Sequence, residues 1–247
     1  MLGDGRGEVA AFAERDCSIQ RRHQKVLEET PSPLLGPSTR ESIQHLAQEA
    51  CAAIRYASAG TIEFLVDAEQ HFYFMEMNTR VQVEHPVSEA ISGADIVREQ
   101  IRIAAGEPMT SSGIQHADGH AIEFRINAED PRNDFLPRAG TISRLILPGG
   151  PGVRVDTHLY EGYTVPPFYD SLLAKVIVWD VDRRSCIARS IRCLQELVLE
   201  GVPTTRDLHL DILRHQDFVE GRYSTGFLDQ AMEQLPALSG KEGASLS

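Results

Sequence analysis

Carboxylate side chains occur in residues 60–89 in an order that could bind a metal ion. Two apolar runs, residues 60–66 and 72–77, flank a short polar loop, which is the pattern of a β-hairpin. Pairing that is symmetric about this loop places Glu63 directly opposite Glu76. Two like charges that face each other across a strand pair destabilise it unless a cation lies between them. The pattern therefore predicts a divalent cation bound by these two glutamates.

The polar residues continue at every second position, and the set is Glu76, Asn78, Arg80, Gln82 and Glu84. Alternate residues of an extended segment project from one face, so the spacing predicts that this set shares a face. The residues expected on the opposite face are Met75, Met77, Val81 and Val83. A few hard oxygen ligands favour Mg²⁺, which completes its octahedron with water and phosphate oxygens. The alternative is an edge hairpin whose charges face water, but the order of the set favours a ligand-binding face.

Length and composition are those of an ordinary globular protein. The chain has 247 residues, enough for one large domain or two small ones, and 42% of them are hydrophobic and 24% charged. A formal net charge of −12 argues against a nucleic-acid partner. Neither a membrane-length apolar run nor a signal-peptide pattern is present, so we expect no membrane partner and a cytoplasmic location, with an organellar parent protein as the alternative. The cysteines lack CxxC or zinc spacing and are expected to be free thiols: Cys17, Cys51, Cys186 and Cys193.

The beginning of the sequence predicts a strand that follows a turn. Residues 9–12 are apolar, and residues 3–7 are rich in glycine. Few residues remain for a partner strand, so the chain is expected to begin inside a domain.

Basic side chains cluster just after this strand, and they are Arg21, Arg22, His23 and Lys25. Arginine and lysine that lie close together can neutralise phosphate or carbonate, so an anion site is one interpretation. A solvated basic loop is the other.

Two helices are predicted, one on each side of the hairpin. Residues 38–41 have the form of a capping box that opens the first helix. The residues expected to face its core are Ile43, Leu46, Ala47, Ala50 and Ile54. Asp95 is expected to cap the second helix, which Gly106 ends.

The second half of the chain is predicted to begin with strands and to end with helices. Residues 120–127 alternate in polarity, which places Arg125 on the polar face, either paired with Glu123 or presented to a ligand. Further strands are predicted at residues 141–147, 153–157, 163–165 and 172–179. Asp182 is expected to cap a helix, and a last helix is predicted at residues 204–215. Strand runs followed by helices indicate the α+β class.

These segments resemble biotin carboxylase, a family of the ATP-grasp superfamily. The family motif EMNTRVQVEHPVTE is matched at residues 76–89 in every position except Ser88. The other matching segments are RDCSIQRRHQK, GTIEFL, HAIEFRINAEDP and GYTVPPFYDSLLAK. Carbamoyl-phosphate synthetase, another ATP-grasp ligase, shares the pair of acids but not RINAEDP or YDS. The resemblance covers nearly the whole chain.

The resemblance implies a fold and a division into domains. Residues 1–115 would form the C-terminal half of an ATP-grasp domain, and residues 118–231 the biotin carboxylase C-terminal domain, an antiparallel sheet with helices. Residues 236–247 are expected to form a disordered tail.

The resemblance also implies an activity, the ATP- and Mg²⁺-dependent carboxylation of biotin on a carrier protein, with bicarbonate as the carbon source and carboxyphosphate as the intermediate. ATP and Mg²⁺ or Mn²⁺ would be required, and carrier-bound biotin would be the substrate. The implied partners are a biotin carboxyl carrier protein or domain, a carboxyltransferase subunit and a second copy in a homodimer.

Roles transfer by resemblance to individual positions. The implied metal ligands are Glu63, Glu76 and Asn78. The implied ATP-binding residues are Gln20, His23 and Leu65. The implied bicarbonate- and biotin-binding residues are Lys25, Arg80, Gln82, Val83 and Arg125. The implied catalytic residues are Arg80, Glu84 as the general base, Lys25, and Arg125 facing the biotin ureido oxygen.

The sequence departs from the family in one large respect. Full-length members have an N-terminal domain and a glycine-rich ATP lid before the position that corresponds to residue 1. We therefore consider two further hypotheses beside a truncated biotin carboxylase: a non-catalytic module for dimerisation or carrier interaction, and a fragment that does not fold.

Overall fold

The computed structural model describes residues 1–231 and 234–239. The chain forms two compact units. Unit 1 consists of residues 1–16 and 30–120, and unit 2 of residues 17–29 together with the residues after 120. The tail expected to be disordered from residue 236 begins with a short helix, and from residue 240 onward it lies outside the described residues.

The secondary structure alternates short strands and helices. The strands are β1 (Leu2–Asp4), β2 (Val9–Ala11), β3 (Gln20–Arg21), β4 (Gln24–Lys25), β5 (Leu27–Thr30), β6 (Ala57–Ala59), β7 (Thr61–Val66), β8 (Phe72–Asn78), β9 (Gly113–Ile114), β10 (His120–Asn127), β11 (Glu129–Asp130), β12 (Leu136–Pro137), β13 (Gly140–Thr141), β14 (Arg144–Ile146), β15 (Val153–Thr157), β16 (Thr164–Val165), β17 (Leu172–Asp180) and β18 (Val198–Glu200). The helices are α1 (Pro37–Ala53), α2 (His85–Ser92), α3 (Ile96–Ala104), α4 (Arg183–Glu196), α5 (Arg206–Arg214), α6 (Gln216–Val219), α7 (Phe227–Ala231) and α8 (Pro236–Ser239). A 3₁₀ turn lies at Pro131–Asn133. In the described part of the chain, no helix has the length and apolar character needed to cross a membrane.

Unit 1 contains a four-stranded sheet in the order β6-β1-β2-β9. β1 and β2 form an antiparallel hairpin with Leu2 opposite Ala10, which confirms the strand and the turn predicted at the beginning of the sequence. The Asp4 carboxylate closes the turn by accepting hydrogen bonds from the backbone N–H groups of Arg6, Gly7 and Glu8. An apolar cluster packs on this sheet and includes Leu2, Ala10, Phe12, Ala59 and Ile96.

Helix α1 begins before its predicted capping box. Gly36 is the N-cap residue, Pro37 is the first helical residue, and no side chain caps the helix, so the capping box predicted at residues 38–41 is wrong. Proline suits this position because the first N–H groups of a helix have no intrahelical acceptor. The buried residues of α1 are Ile43, Ala47 and Cys51. The predicted core residues Leu46, Ala50 and Ile54 are exposed.

The second predicted helix of unit 1 is confirmed as α3. Its N-cap is Asp95, whose carboxylate accepts a hydrogen bond of 2.9 Å from the backbone N–H of Arg98. The helix ends at Ala104, two residues before Gly106, which has a φ of +81°.

β7 and β8 form a two-stranded antiparallel ribbon. Glu63 pairs directly with Glu76, which confirms the predicted register of the acids. Toward the loop the register shifts by one residue: Phe64 pairs with Phe74, so Met75 is the extra residue of a β-bulge. Directly paired residues share a face and neighbours along β7 alternate, so Phe74 lies on the face opposite to Glu76.

The segment after β8 is not a strand. β8 ends at Asn78, and α2 begins at His85 with Glu84 as its N-cap residue. The extended polar face predicted for residues 76–84 is therefore wrong beyond Asn78. Pro86, in the first turn of α2, has the preset φ that favours a helix start at this point.

Unit 2 contains a four-stranded sheet in the order β15-β17-β10-β5. β10 has the predicted bounds, and β17 runs one residue past the predicted strand. β10 is covered on both faces, since Ile122, Phe124 and Ile126 are fully buried on one side and Glu123 on the other. The alternation of β10 therefore does not mark a solvent face.

The edge strand β5 buries two successive acids, Glu28 and Glu29. Arg183, the first residue of α4, binds the Glu29 carboxylate through Nε at 2.7 Å and Nη2 at 2.9 Å. The Tyr223 hydroxyl donates a further hydrogen bond to the same carboxylate. Residues 17–29, which precede α1 in sequence, are thereby bonded to the helical part of unit 2.

Helix α4 begins at the predicted cap. The Asp182 carboxylate accepts a hydrogen bond of 2.8 Å from the backbone N–H of Ser185. The four cysteines are free, as predicted. Burial raises the pKa of the Cys186 thiol to about 12 and that of Cys193 to about 11, which keeps both protonated at neutral pH.

Candidate functional site

The two glutamates of the ribbon meet at one amide group. The Asn78 side chain donates from Nδ2 to Glu63 Oε1 at 3.1 Å and to Glu76 Oε1 at 3.0 Å. The register of the ribbon explains this contact, because Glu63 and Glu76 are paired and Asn78 lies two residues further along β8. The three residues predicted to be metal ligands are therefore within hydrogen-bonding distance in unit 1.

The position of the Asn78 amide indicates where a cation would bind. An amide NH₂ is the positive end of a dipole, and here it lies between two carboxylates that would otherwise repel each other. Rotation of this amide would direct Oδ1 toward the same point and complete a set of three hard oxygen donors, which suits Mg²⁺. No cluster of three or more His, Cys, Asp or Glu side chains with metal-binding geometry occurs among the described residues. Two carboxylates and an amide would supply only part of an octahedral coordination sphere. The remaining positions would be left for the water and phosphate oxygens that Mg²⁺ usually keeps as ligands.

Gln82 joins this group although it lies outside the strand. Its Nε2 donates to Glu63 Oε1 at 2.8 Å, and the residue is 6% exposed. The turn after β8 therefore brings the Gln82 side chain back to Glu63, whereas a continuous strand would carry it away from the acids.

Arg80, Val83 and Glu84 occupy different surroundings in the same turn. Arg80 is exposed, and its Nη1 donates to the Val81 carbonyl at 3.2 Å. Val83 is half-buried, and Glu84 is 2% exposed. Unit 1 thus brings Glu63, Glu76, Asn78 and Gln82 into contact, while Arg80 bonds the carbonyl of the residue that follows it.

Sequence reasoning missed Arg15. Its guanidinium donates from Nη2 to Gln82 Oε1 at 2.7 Å and lies 4.0 Å from Glu84 Oε1. Arg15 belongs to the matched segment RDCSIQRRHQK, but no local pattern distinguishes it from the neighbouring arginines. What distinguishes Arg15 is its half-buried contact with Gln82, 67 residues away, and this contact is visible only in the tertiary structure.

Leu65 lies on the ribbon face that contains the acids. It is two residues from Glu63 along β7 and pairs with Tyr73. Both side chains are about half exposed, at 51% for Leu65 and 55% for Tyr73. This face therefore presents an exposed apolar surface beside the acids.

The remaining predicted positions lie in unit 2. β3 and β4 form a small hairpin in which Gln20 pairs with Lys25, and the two turn residues, Arg22 and His23, have positive φ. The predicted basic loop is thus a tight hairpin turn, with His23 exposed at its tip and Lys25 half-buried.

Asp134 pairs with part of the basic cluster. Arg21 and Arg22 both form ion pairs with its carboxylate, and the Arg21 guanidinium lies 4.3 Å from the centroid of the Phe135 ring. Arg21 and Arg22 therefore have an internal anion partner within unit 2.

Arg125 is held by an acid from another strand. Its Nε donates to Glu28 Oε1 at 2.7 Å, and its side chain is 18% exposed while that of Glu28 is fully buried. This pairing reaches across to β5, to an acid that the alternation of β10 does not indicate. A guanidinium that is fixed through Nε presents its remaining N–H groups in a set direction.

The backbone beneath Arg125 is fixed as well. Its carbonyl accepts hydrogen bonds of 2.8 Å from Thr205 Oγ1 and from His209 Nε2. His209 is fully buried against Phe124, and burial lowers its pKa from the ordinary 6.5 to about 4, although the bond to the carbonyl opposes this shift. His209 is therefore neutral at physiological pH and holds β10 as a hydrogen-bond donor.

Comparison with family models divides the chain in two. Residues 1–112 match the model "Carbamoyl-phosphate synthase L chain, ATP binding domain", and residues 123–230 match "Biotin carboxylase C-terminal domain". The first match defines the class of protein, an ATP-binding portion of the ATP-grasp type.

Known proteins identify the family. The chain is 52% identical over 231 residues to a biotin carboxylase from Nostoc sp., covering 93% of this chain and 52% of that protein. It is 49% identical over 241 residues to the chloroplastic biotin carboxylase 1 of Populus trichocarpa, covering 96% and 45%. The biotin carboxylase domain dimer of Hydrogenobacter thermophilus 2-oxoglutarate carboxylase, solved with MgADP, ADP and bicarbonate, superposes with a TM-score of 0.91 at 47% identity, covering 94% of this chain and 51% of that one.

The chain belongs to the biotin carboxylase family and corresponds to the C-terminal part of its members. It spans about half the length of the curated relatives that it matches. The family resemblance and the α+β fold class predicted from the sequence are confirmed.

Proposed function

We propose that this chain supplies the C-terminal part of a biotin carboxylase, which uses ATP and bicarbonate to carboxylate biotin on a carrier protein. The observation that supports this most directly is the directly opposed pair Glu63 and Glu76, joined by the Asn78 amide. A purely structural ribbon gains nothing from two facing acids, because like charges at paired positions are destabilising. We assign residues 1–115 to the ATP-grasp part and residues 118–231 to the C-terminal domain.

Glu63, Glu76 and Asn78 would hold Mg²⁺, or Mn²⁺ in its place. Their donor set is hard and small, and the amide NH₂ already occupies the point between the carboxylates. When bound, the metal ion neutralises negative charge on the phosphate groups of ATP. Gln82 would orient Glu63, since its amide donates to the same carboxylate.

The remaining site residues have proposed roles that fit their surroundings. Leu65, on the acid-bearing face of the ribbon, would contact the adenine ring, and Gln20 and His23 would contribute to the ATP site. The proposed bicarbonate and biotin ligands are Lys25, Arg80, Gln82, Val83 and Arg125. Arginine and lysine suit this task because they neutralise planar anions.

Glu84 is the proposed general base. A bicarbonate oxygen would attack the γ-phosphorus of ATP while the bicarbonate proton passes to the Glu84 carboxylate, and ADP leaves with the electrons of the broken bond. The resulting carboxyphosphate would release CO₂ and phosphate. The phosphate would take the ureido proton of biotin, whose nitrogen then bonds to CO₂.

Arg125 would stabilise the negative charge that develops on the biotin ureido oxygen. Its guanidinium is fixed by Glu28 and its backbone by Thr205 and His209, so little reorganisation is needed during the reaction. Preorganised donors of this kind are a large term in catalysis.

The partners proposed for the complete enzyme are a biotin carboxyl carrier protein or domain, a carboxyltransferase subunit and a second copy of the biotin carboxylase. The H. thermophilus relative was crystallised as a domain dimer, which supports the last. We place the enzyme in the cytoplasm, and the chloroplastic relatives make an organelle the alternative site.

Isothermal titration with MgATP tests the proposal. The chain is titrated alone and after addition of the N-terminal half of the Nostoc biotin carboxylase. We expect heat of binding only in the mixture, because ATP in this superfamily lies between two subdomains. Absence of binding in both titrations would favour the non-catalytic interaction module over the enzyme.

Substitution of Arg80 tests its catalytic role in the complemented enzyme. We expect Arg80→Ala to lower bicarbonate-dependent ATP cleavage by roughly 10²- to 10³-fold, the scale for removal of one group that stabilises transition-state charge. Arg98→Ala is the matched control, since Arg98 is an exposed arginine of the same unit, on α3. Retention of full turnover by Arg80→Ala would remove Arg80 from the mechanism.

Glu84→Gln separates the proposed base from ATP binding. Glutamine preserves the shape and burial of the side chain but cannot accept the bicarbonate proton, so MgATP affinity should persist while the first turnover slows by roughly 10²- to 10⁴-fold. Rapid-quench measurement of phosphate release checks this. Unchanged single-turnover kinetics would contradict the base role.

A further inference from the structure

Arg15 connects three parts of unit 1 that surround the acids. Its Nη2 donates to Thr61 Oγ1 at 2.9 Å and to Gln82 Oε1 at 2.7 Å, and its Nη1 donates to Ser88 Oγ at 3.1 Å. Thr61 is the first residue of β7, Gln82 lies in the turn after β8, and Ser88 lies in α2. The Arg15 side chain is 12% exposed, so these bonds are largely shielded from solvent.

The neighbours of Gln82 determine the orientation of its amide. Arg15 has only donor groups, so it requires the amide oxygen of Gln82 on its side. The Glu63 carboxylate has only acceptor groups, so it requires the amide NH₂ on its side. A flipped amide would place oxygen against carboxylate and NH₂ against guanidinium, and both contacts would be repulsive.

We infer that Arg15 is a positioning residue for the site, which it serves by fixing the Gln82 amide in the orientation that presents NH₂ to the metal-binding carboxylate of Glu63. The inference rests on the proposed function for the meaning of the site, but the orientation itself is a property of the folded chain. Arg15 thereby links the acid pair of the ribbon to the turn that contains Glu84, whose carboxylate lies 4.0 Å from the same guanidinium.

The charge of Arg15 has a second effect on the same turn. Gln82 and Glu84 are 6% and 2% exposed, so water contributes little to their solvation. A fixed guanidinium beside them compensates for part of that loss. Removal of Arg15 would therefore release the amide and also leave the buried end of the turn less well solvated.

Arg40 provides a matched control in the same unit. It is also a partly buried arginine, 26% exposed, and it forms an ion pair with Glu14 at 2.8 Å. Its other acceptors are the backbone carbonyls of Ser32 and Leu35, so its bonds stabilise α1 and the loop before it. Arg40→Gln should cost stability comparable to Arg15→Gln without acting on the Gln82 amide.

Ser88 offers a milder test of the same contact. It is the position where this chain has serine and the family motif has threonine, and its hydroxyl accepts the Nη1 bond of Arg15. Ser88→Ala removes that bond and leaves the charge of Arg15 and its bond to Gln82 in place. It should loosen the guanidinium less than substitution of Arg15 itself.

The experiment measures the side-chain amide of Gln82 in the full 247-residue chain labelled with ¹⁵N-glutamine. Gln82→Glu identifies the pair of amide signals by their loss. We expect Arg15→Gln to shift these signals and to accelerate exchange of the amide hydrogens roughly tenfold, the scale for loss of one buried hydrogen bond. Arg15→Lys, which retains charge and one donor direction, should restore part of the effect, and Ser88→Ala should give a smaller change. Arg40→Gln should leave the signals unchanged.

Unchanged Gln82 signals in Arg15→Gln would overturn the inference, as would an equal change in Arg40→Gln. If Arg15→Gln does not fold, Arg15→Lys and Ser88→Ala decide the question by the same readout. The amide measurement does not depend on turnover. If the complemented chain binds no MgATP, the proposed function fails, but the Gln82 signals still test the orientation of the amide independently.

Discussion

Two pairs of glutamates illustrate two uses of the same side chain. Glu28 and Glu29 are successive residues of the edge strand β5 in unit 2, and both are fully buried. Each meets a guanidinium, that of Arg125 or that of Arg183. Burial of an acid beside a full positive charge fixes both partners, because separation would leave an unpaired charge in a medium of low polarity.

Glu63 and Glu76 in unit 1 are arranged differently. They face each other across a two-stranded ribbon, Glu76 is exposed, and the groups between and beside them are the amides of Asn78 and Gln82. An amide dipole is weaker than a guanidinium charge, and the exposed side of the ribbon leaves the Asn78 amide room to rotate. The comparison teaches that the surroundings of an acid, rather than its presence, distinguish a structural ion pair from the cation site that we propose.

Removal of Arg183 is the largest perturbation of the structural pair. Arg183→Met leaves the Glu29 carboxylate buried without its guanidinium, so we expect a loss of about 3–5 kcal/mol in the free energy of unfolding. Urea denaturation followed by circular dichroism measures this. Arg184→Met, at the next and exposed position of α4, is the control and should change stability by less than about 0.5 kcal/mol. Equal effects of the two substitutions would show that the buried acid does not require its partner.

The pH dependence of stability tests how firmly unit 2 holds β10, the strand that contains Arg125. The pKa of His209 is about 4 in the folded chain and 6.5 when unfolded, so the unfolded state gains the proton first. The contribution of His209 is complete above about pH 6.5 and is lost as the pH falls toward 4, by up to about 3 kcal/mol.

Urea midpoints at several pH values, compared between the wild-type chain and His209→Gln, measure this contribution. Glutamine keeps a donor for the Arg125 carbonyl but does not titrate, so the variant should lose less stability over this range. His116→Gln, at an exposed histidine, is the control and should retain the wild-type pH dependence. A wild-type dependence in His209→Gln would exclude His209 as its source.

Neutralising one acid of the ribbon should have the smallest effect on the free energy of unfolding, and the effect should be stabilising. Glu76→Gln removes the like-charge contact with Glu63, so we expect the free energy of unfolding to rise by about 0.5 kcal/mol in the absence of metal. MgATP binding in the complemented enzyme should be lost at the same time. Glu69→Gln, at the exposed loop tip, should change neither quantity. A loss of stability in Glu76→Gln would mean that the acid stabilises the ribbon, as Glu29 stabilises unit 2.

The sequence alone predicted the part of the site that depends on local pairing. A polar loop between two apolar runs was enough to pair Glu63 with Glu76, because register in a hairpin follows from its loop. The caps Asp95 and Asp182 were found for the same reason, since a cap acts within one turn of helix. The roles carried over by resemblance remain predictions.

Local sequence patterns gave wrong or missing predictions where contacts between distant residues determine the structure. The alternation of residues 76–84 has the period of a strand, yet Pro86 starts a helix and Gln82 returns to the acids through a turn. Arg15 and Glu28 have partners that are 67 and 97 residues away along the chain. No window of sequence contains such contacts, so the guanidinium that orients Gln82 and the acid that holds Arg125 were both missed.

The single extra residue at Met75 has a consequence for the evolution of this ribbon. With it, Leu65 and Tyr73 lie beside the acids, and Phe74 lies on the reverse side. A ladder that took in Met75 as an ordinary strand residue would pair Met75 with Phe64 and Phe74 with Leu65, so that Phe74 replaced Tyr73 on the face of the acids. A change that abolished the bulge would thus alter the apolar surface beside Glu63 and Glu76 while every charged residue stayed in place, and a search for altered acids would not detect it.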